Sequence, residues 1–245
     1  MALPQHLLPV EHANRSVTAQ HVKSFHDACL ALANWPKVAV DFAEADVWRW
    51  IATNHRNNCL LWDEEDLARR TRATDADITA NKRAIDGYNQ ARNDATERVD
   101  EFLLLSLGLI DAATARSDQP VVSVSASARL NSETAGSIMD RMSIMSLKIK
   151  AMTAQTVRTD VDAAHRDSSA LKLQRLHEQR SDLGACLDQL LAESLAGLAY
   201  FKVYRQFKMY NDPRFNPVLV AELAAAKMPE HRAASVQRQA RSAQQ

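Results

Sequence analysis

The stretch KRAIDGYNQARNDATERVD, Lys82 to Asp100, decides the fold that this sequence predicts. At about 100° per residue, its apolar side chains and those just outside it share one arc, the core face of an amphipathic helix. That face consists of Ile78, Ile85, Tyr88, Ala95, Val99, Phe102 and Leu103. The pattern predicts one long helix from about Asp75 to Asp111, capped by Thr74 or Asp75.

A second face of the same helix is polar, and we call it the polar stripe. Its members fall within about 100° of one another: Lys82, Asp86, Asn89, Gln90, Asn93, Glu97 and Asp100. Exposure to solvent is the ordinary explanation for such a face. Exposed faces usually carry good helix formers, however, whereas this one has Asp and Asn in mid-helix beside Gly87. The residue choice therefore favours a binding site.

Helical segments are also predicted on both sides of this one. They run from Ser16 or Val17 to Ala33, from Glu44 to Arg72, from the NSETAGS motif to Met152, and from Thr159 to Met209 with a bend near Asp167–Ser169 or Gly197. The Ala- and Ser-rich segment after Asp111 is predicted to be a loop, with an extended piece at Val121 to Val124. Pro217 is expected to start a short helix to Lys227. The chain is thus predicted to be all-α: a partly disordered segment 1–15, one bundle of four to five long helices over 16–227, and a disordered tail 228–245.

The composition restricts the class of protein. Thirty Lys and Arg residues balance thirty Asp and Glu residues, so net charge favours neither nucleic acid nor a membrane surface as a partner. The three cysteines form no CxxC pair, which is typical of reduced thiols. No apolar run approaches the roughly 20 residues that span a bilayer. We therefore expect a cytoplasmic protein with no membrane span and no nucleic acid partner.

The second helix changes character along one narrow arc. The arc consists of Val47, Ile51, Asn58, Trp62, Glu65 and Arg69, with His55 and Asp66 beside it. A face that begins apolar and becomes polar is typical of a core stripe that opens into a polar pocket. The indole of Trp62 supports this interpretation, because it needs cover and a partner for its N–H.

The NSETAGS motif is predicted to start the fourth helix, with Asn131 or Ser132 as its N-cap. Free backbone N–H groups and the hydroxyls of Ser132 and Thr134 suit a phosphate or carboxylate there. Acidic Glu133 fits a plain helix cap equally well, so both interpretations stay open.

Catalytic motifs are scarce in this sequence. It has no HExxH, Walker loop, GxGxxG or GxSxG, and no Glu is followed three residues later by His. The pairs Glu97/Asp100 and Asp63/Asp66 each place two carboxylates one helical turn apart, which suits Mg²⁺. Such pairs also occur in ordinary ion-pair networks, so Mg²⁺ is a candidate cofactor whose ligands stay unassigned.

Four motifs together resemble the bacterial domain-of-unknown-function 4254 family. They are NNCLLWDEEDLARR, KRAIDGYNQARNDATERVD, LNSETAGSIMDRMSIMSLKI and YRQFKMYNDPRFNP, and the resemblance covers roughly Phe25 to Val220. Asp63 stands where members often have His, and Ala135 where many have Pro. The resemblance implies an all-helical fold and a place beside glycosyltransferases of cell-envelope polysaccharide synthesis, and it assigns no reaction.

Our working hypothesis is a polar pocket between the second, third and fourth helices that binds a phosphorylated small molecule, a sugar phosphate or a nucleotide sugar. Arg69, Lys82 and Arg141 would meet the anion. The candidate acids, bases or Mg²⁺ ligands are Glu65, Asp66, Glu97 and Asp140. The candidate ligand-binding residues are Asn58, Trp62, Arg69, Lys82, Asp86, Asn89, Gln90, Asn93, Asp100, Ser132, Thr134, Arg141 and Lys208.

The alternative hypothesis is a non-catalytic adaptor or structural partner of a glycosyltransferase or another biosynthetic enzyme. In that case the polar stripes are a structural network that fixes helix register, and the C-terminal region is the docking surface. The candidate protein partners are such an enzyme and a second copy of this chain.

Overall fold

The computed structural model describes residues 16–39, 42–43, 46–206, 209 and 212–226, and it is all-α as predicted. Its long helices are α1 (Ala19–Ala31), α2 (Val47–Ala68), α3 (Asp75–Ser106), α4 (Ala135–Thr156) and α5 (Ala163–Leu195). Two short parallel strands, β1 (Arg129–Leu130) and β2 (Ala199–Tyr200), form a ribbon. A further short helix covers 217–226, beginning at Pro217 as predicted.

The chain divides into two compact units, Met1–Arg205 and Gln206–Gln245, where the sequence predicts one bundle over 16–227. The five long helices and the ribbon belong to the first unit. The predicted N-terminal segment 1–15 and the tail 228–245 lie outside the described residues. None of the described helices is long and apolar enough to cross a membrane.

Helix α3 begins where the sequence predicts, because Thr74 caps it. The Thr74 hydroxyl accepts a hydrogen bond from the Asp77 N–H at 3.2 Å, and the Asp77 carboxylate accepts one from the Thr74 N–H at 3.1 Å. This reciprocal capping box satisfies two backbone donors that the helix itself leaves without acceptors.

The start of α4 differs from the prediction. Its N-cap is Thr134, whose hydroxyl accepts a hydrogen bond from the Ser137 N–H at 3.1 Å, so the prediction of Asn131 or Ser132 is wrong. Asn131 is engaged elsewhere, because its N–H donates to the Tyr200 carbonyl at 2.7 Å beside the ribbon. Its side-chain amide also donates to the Glu133 carbonyl at 2.6 Å, which keeps this segment extended before the helix.

The end of α5 also differs from the prediction, which extends this helical region to Met209. Helix α5 is continuous through Asp167–Ser169 and ends at Leu195, where Gly197 adopts a φ of 71°. The Leu198 N–H donates back to the Glu193 carbonyl at 2.8 Å, a glycine-dependent C-terminal cap. The chain then pairs with β1, a long-range contact that helical periodicity does not reveal.

The core lies where two helical hairpins meet, α2 with α3 and α4 with α5, with α1 packed on α4 and α5. The predicted core face of α3 is confirmed at Ile85, Ala95, Val99 and Leu103, all of which are buried. The largest fully buried apolar side chains are Trp48, Phe25, Phe201, Ile51, Leu104, Ile138, Met142, Leu187 and Val22. This packing aligns the polar segments of α2, α3 and α4 beside one another.

Candidate functional site

A cleft of about 370 Å³ opens between α2, α3 and α4, and we call it the Arg92 cleft. It is lined by Asn58, Leu61, Trp62, Glu65, Asp66 and the C-cap residue Arg69 of α2, by Arg92 of α3, and by Ile144 and Leu147 of α4. Five of these α2 residues are candidates from the sequence. The arc that is apolar at Ile51 therefore becomes the wall of a cleft from Asn58 onwards.

The floor of the Arg92 cleft is a hydrogen-bonded network that joins all three helices. The side-chain amides of Asn54 and Asn58 donate to Asp140 Oδ1 at 2.8 and 2.9 Å. The Asn58 amide also lies 3.1 Å from Ser143 Oγ, which acts as an acceptor. Both asparagines are buried, so these bonds hold their side chains in one orientation.

Arg92 uses only part of its hydrogen-bonding capacity in this network. Its Nη1 donates to Asn58 Oδ1 at 3.1 Å and lies 3.7 Å from Asp140 Oδ2. Its Nε is buried and has no partner among the described residues. A guanidinium carries five N–H donors, and the Nη2 of Arg92 forms no hydrogen bond with the described residues, so this group remains for an anionic ligand in the cleft.

The rim of the cleft carries charges of both signs. Arg69 Nη1 lies 3.0 Å from Glu65 Oε2 in an exposed pair one helical turn apart. Asp66 is exposed beside them. With Arg92, the lining has two guanidinium groups and two carboxylates, a set that can bind phosphate oxygens and accept hydrogen bonds from hydroxyl groups.

The remaining predicted cations do not join Arg69 at the cleft. Lys82 forms an exposed ion pair with Asp86, and Arg141 forms another with Glu133 at 2.6 Å. Each thus pairs with a carboxylate near it in the sequence and lies outside the cleft lining. Arg92 of α3 is the second guanidinium of the cleft.

Several other candidates lie outside the cleft lining as well. Gln90 donates to Asp94 at 2.6 Å on the exposed side of α3, and Ser132 is exposed. Asn89 and Asn93 are half-buried. The last candidate, Lys208, lies outside the described residues.

Asp100 and Thr134 meet at the crossing of α3 and α4, where the sequence suggested an anion site. Asp100 is 3% exposed, and its Oδ1 accepts a hydrogen bond from the Gly136 N–H at 2.7 Å. Burial raises the pKa of Asp100 to about 7, although hydrogen bonds from Thr134 and Gly136 lower it. The acidic group at the start of α4 is therefore the protein's own Asp100.

Glu97 belongs to another network, at the C-terminal half of α3. Arg205 Nη1 lies 3.1 Å from Glu97 Oε2 and 2.5 Å from Glu101 Oε1. Glu101 is 1% exposed and also pairs with Arg98. Arg205 further donates to the Ala115 carbonyl at 2.9 Å, so this network ties the end of the first unit to the loop after α3.

The four carboxylates that the sequence proposed as acids, bases or metal ligands are thus divided among three places. Glu65 and Asp66 line the cleft, Asp140 lies in its floor, and Glu97 pairs with Arg205. Within the described part of the chain, no three His, Cys, Asp or Glu side chains are grouped closely enough to hold a metal ion.

Sequence reasoning missed several residues of the cleft and its floor: Asn54, Leu61, Arg92, Ile144, Leu147 and Ser143. Asn54 lies one helical turn before Asn58, so the i,i+4 spacing of two asparagines was an available signal. Arg92 belongs to the motif that resembles the family but lies beside the polar stripe. Ser143 gave no signal among the apolar residues of α4.

A buried histidine pair lies behind the cleft floor. The rings of His26 and His55 stack at 4.4 Å, and Trp35 stacks on His55 at 5.5 Å. His55 Nδ1 lies 2.8 Å from the Ser143 hydroxyl, which connects the pair to Asn58. Burial lowers the pKa of His26 well below its usual value and lowers that of His55 to about 3, so both rings are neutral.

Comparison with known proteins identifies a family and no individual relative. No curated protein and no solved structure matches the chain. The family model described as "Protein of unknown function (DUF4254)" matches residues 48–203, which include every residue that lines the Arg92 cleft. This match covers more than half of the chain, although it is shorter than the range over which the motifs resemble the family. The chain belongs to the DUF4254 family.

Proposed function

We propose that this protein binds a phosphorylated small molecule, a sugar phosphate or a nucleotide sugar, in the Arg92 cleft. The observation that carries the proposal is the guanidinium of Arg92, which lines the cleft and is held by Asn58 through Nη1, while its Nη2 forms no hydrogen bond with the described residues. A guanidinium with unused donors beside a cleft suits the paired oxygens of a phosphate group.

The other lining residues suit the rest of such a ligand. The Trp62 side chain offers a flat apolar surface for a sugar ring or a base. Glu65 and Asp66 can accept hydrogen bonds from sugar hydroxyls. The volume of about 370 Å³ lies within the roughly 300–1,000 Å³ of small-molecule pockets.

Catalysis would require acids and bases beside the ligand. Glu65 and Asp66 are the candidates, since they are the carboxylates that line the cleft. Any Mg²⁺ at this site would take part of its coordination from the phosphate of the ligand, because Mg²⁺ binds one or two carboxylates together with phosphates. The resemblance to proteins found beside envelope-polysaccharide glycosyltransferases supports sugar nucleotides as the first compounds to test.

The alternative function is that of an adaptor for a biosynthetic enzyme. Two observations favour it: the floor network already joins α2, α3 and α4, and Leu195 and Leu198 are exposed at the end of α5. An adaptor would need the network for stability and the exposed leucines for docking.

The test is thermal unfolding of the full chain with glucose 1-phosphate, UDP-glucose and GDP-mannose, with and without Mg²⁺. A ligand at a hundred times its Kd should stabilise the protein by about 2.7 kcal/mol. Arg92→Gln should abolish this shift, and Arg92→Lys, which keeps the charge beside Asp140 but loses the planar fork, should weaken it.

Arg141→Gln is the matched control, because this exposed arginine pairs with Glu133 outside the cleft. It should retain the full ligand-induced shift. The proposal fails if no compound stabilises the wild-type protein, or if both Arg92 variants fold and respond as the wild type does. Loss of stability in the Arg92 variants without any ligand effect would support the adaptor.

A further inference from the structure

A second cavity of about 440 Å³ lies between α4 and α5, and we call it the basic groove. Each helix contributes four residues spaced i, i+3, i+4 and i+7, which is one face of each helix. The groove is lined by Lys148, Ala151, Met152 and Gln155 of α4, Lys172, Arg175, Leu176 and Gln179 of α5, and Trp62 of α2.

The lining of the basic groove has three cations and no carboxylate: Lys148, Lys172 and Arg175. Among the residues that the structure describes, none of the three forms an ion pair. Lys82 and Arg141, by contrast, each form an ion pair with a nearby carboxylate. Three unpaired cations around one cavity favour a ligand with more than one negative charge.

The apolar part of the lining completes the chemistry. Met152, Leu176 and Ala151 are half-buried and line the groove together with Trp62. A planar base can stack on an indole or lie on such a surface, since stacking on aromatic side chains does not depend on which base is present. The Gln179 amide adds a donor and an acceptor for the polar edge of the base.

Trp62 also lines the Arg92 cleft, so the two cavities share one wall. Their charges differ. The lining of the cleft has two guanidinium groups and two carboxylates, whereas the lining of the groove has cations alone. The part of a ligand with the highest negative charge therefore belongs in the groove, and the part rich in hydroxyls belongs in the cleft.

We infer that the basic groove binds the nucleoside and the diphosphate of a nucleoside diphosphate sugar, whose sugar occupies the Arg92 cleft with Arg92 facing the sugar-linked phosphate. The position of the sugar rests on the function proposed above. The binding of a diphosphate in the groove does not rest on that function, because this binding depends on Lys148, Lys172 and Arg175 alone.

The test measures binding to the full chain by isothermal titration calorimetry with inorganic pyrophosphate, glucose 1-phosphate, UDP-glucose, ADP-glucose and GDP-mannose. The double variant Lys172→Gln/Arg175→Gln removes two exposed cations, so it should fold as the wild type does. It should bind pyrophosphate and the best nucleotide sugar at least about tenfold more weakly. Its affinity for glucose 1-phosphate should stay within about twofold, since that ligand needs only Arg92.

The matched control is Arg83→Gln/Lys202→Gln, which removes the same charges from exposed residues that line neither cavity. It should bind every probe as the wild type does. An equal loss of pyrophosphate affinity in this control would mean that net charge alone is responsible, and the inference would be overturned.

The two proposals fail in different ways. If glucose 1-phosphate binds through Arg92 while pyrophosphate does not bind, the proposed function stands and the inference about the groove is wrong. A second outcome is that pyrophosphate binds through Lys172 and Arg175 but no sugar phosphate or nucleotide sugar binds. In that case the function proposed for the Arg92 cleft is wrong, and so is the assignment of a nucleoside diphosphate sugar as the ligand.

Discussion

At the scale of single residues, Asp100 gives the fold a measurable dependence on pH. The folded protein keeps a proton on this carboxyl up to a pKa of about 7, whereas the unfolded chain loses it near the ordinary value of 3.8. Between these two pH values the folded state binds the additional proton, so the Asp100 contribution to stability is lost as pH rises. One pKa unit corresponds to about 1.36 kcal/mol, so the loss is a few kcal/mol.

We therefore expect Asp100→Asn to gain stability relative to wild type as pH rises from 4 to 7. Urea unfolding of both proteins across this range measures the difference between their free energies of unfolding. Because both proteins contain His26 and His55, this difference isolates the contribution of Asp100. Those histidines act in the opposite direction, because their lowered pKa values make the fold lose stability as pH falls below the ordinary value of 6.5. A difference that does not change with pH would show that Asp100 is ionised in the folded protein.

The positions of single residues were only partly predictable. Helical periodicity puts Asn58, Trp62 and Arg69 on one arc, and the structure places all three at one cleft. Periodicity does not say what lies opposite an arc. Lys82 shares the polar stripe with Glu97, yet Lys82 pairs in solvent with Asp86 while Glu97 pairs with Arg205 of a distant segment.

At the scale of elements, the crossing of α3 and α4 depends on a glycine. A Cβ atom at Gly136 would lie 2.6 Å from the Thr96 carbonyl oxygen and 2.9 Å from Asp100 Oδ1. Gly136→Ala must push the two helices apart, and we expect it to destabilise the protein by roughly 1–3 kcal/mol or more. Chemical denaturation with a circular dichroism readout measures the change.

Gly87→Ala is the matched control, since Gly87 lies in mid-α3 with no atom within 4 Å of an added Cβ. We expect it to stabilise the protein by roughly 0.5–1 kcal/mol, because alanine loses less backbone entropy in a helix. If Gly136→Ala is as harmless as Gly87→Ala, the close approach of α3 and α4 is incorrect. Stabilisation by Gly87→Ala would also mean that this poor helix former beside the polar stripe serves no structural need.

Element boundaries were predictable where local chemistry sets them. Thr74 and Asp77 fix the start of α3 through bonds within four residues, and the sequence predicts the cap at Thr74 or Asp75. The start of α4 and the end of α5 depend instead on the pairing of β1 with β2, about seventy residues apart along the chain. That pairing holds Asn131 outside α4, and no periodic pattern within either helix records it.

At the scale of the whole molecule, Arg205 is the last residue of the first compact unit. It pairs with Glu97 and with Glu101, which is almost fully buried. Arg205→Gln leaves part of this negative charge uncompensated. We expect the free energy of unfolding to fall by about 3 kcal/mol, which is near the lower end for a broken buried ion pair. The loss is limited because Arg98 still pairs with Glu101. Thermal and urea unfolding of the full chain measure this loss.

A chain shortened to end after Gln206 is the comparison for that variant. It keeps Arg205 and all of the first unit, so we expect its free energy of unfolding to match that of the full chain to within about 1 kcal/mol. If the shortened chain loses as much stability as Arg205→Gln, the second unit supports the first and the boundary between them is misplaced.

The all-helical fold of the molecule was predictable from two features of the sequence. It has few glycines and prolines, and its apolar residues follow helical periodicity over long segments, which together disfavour a fold rich in strands and turns. The Arg92 cleft was predictable only from the side of α2. Its α3 and α4 walls depend on how two hairpins dock, and Arg92, Ile144 and Leu147 carry no sign of that contact in their own segments. The basic groove was not predicted at all, because Lys148, Lys172 and Arg175 are ordinary surface residues until α4 and α5 stand side by side.

The indole of Trp62 has a consequence that concerns cooperativity. Because one side chain forms a wall of both cavities, a molecule that restrained it from one side would alter the surface that a second molecule meets on the other. If both cavities bind ligands as proposed, we expect the two occupancies to be coupled in free energy, and the coupling to be reciprocal. By whatever factor a diphosphate changes the affinity for a sugar phosphate, the sugar phosphate must change the affinity for the diphosphate by the same factor.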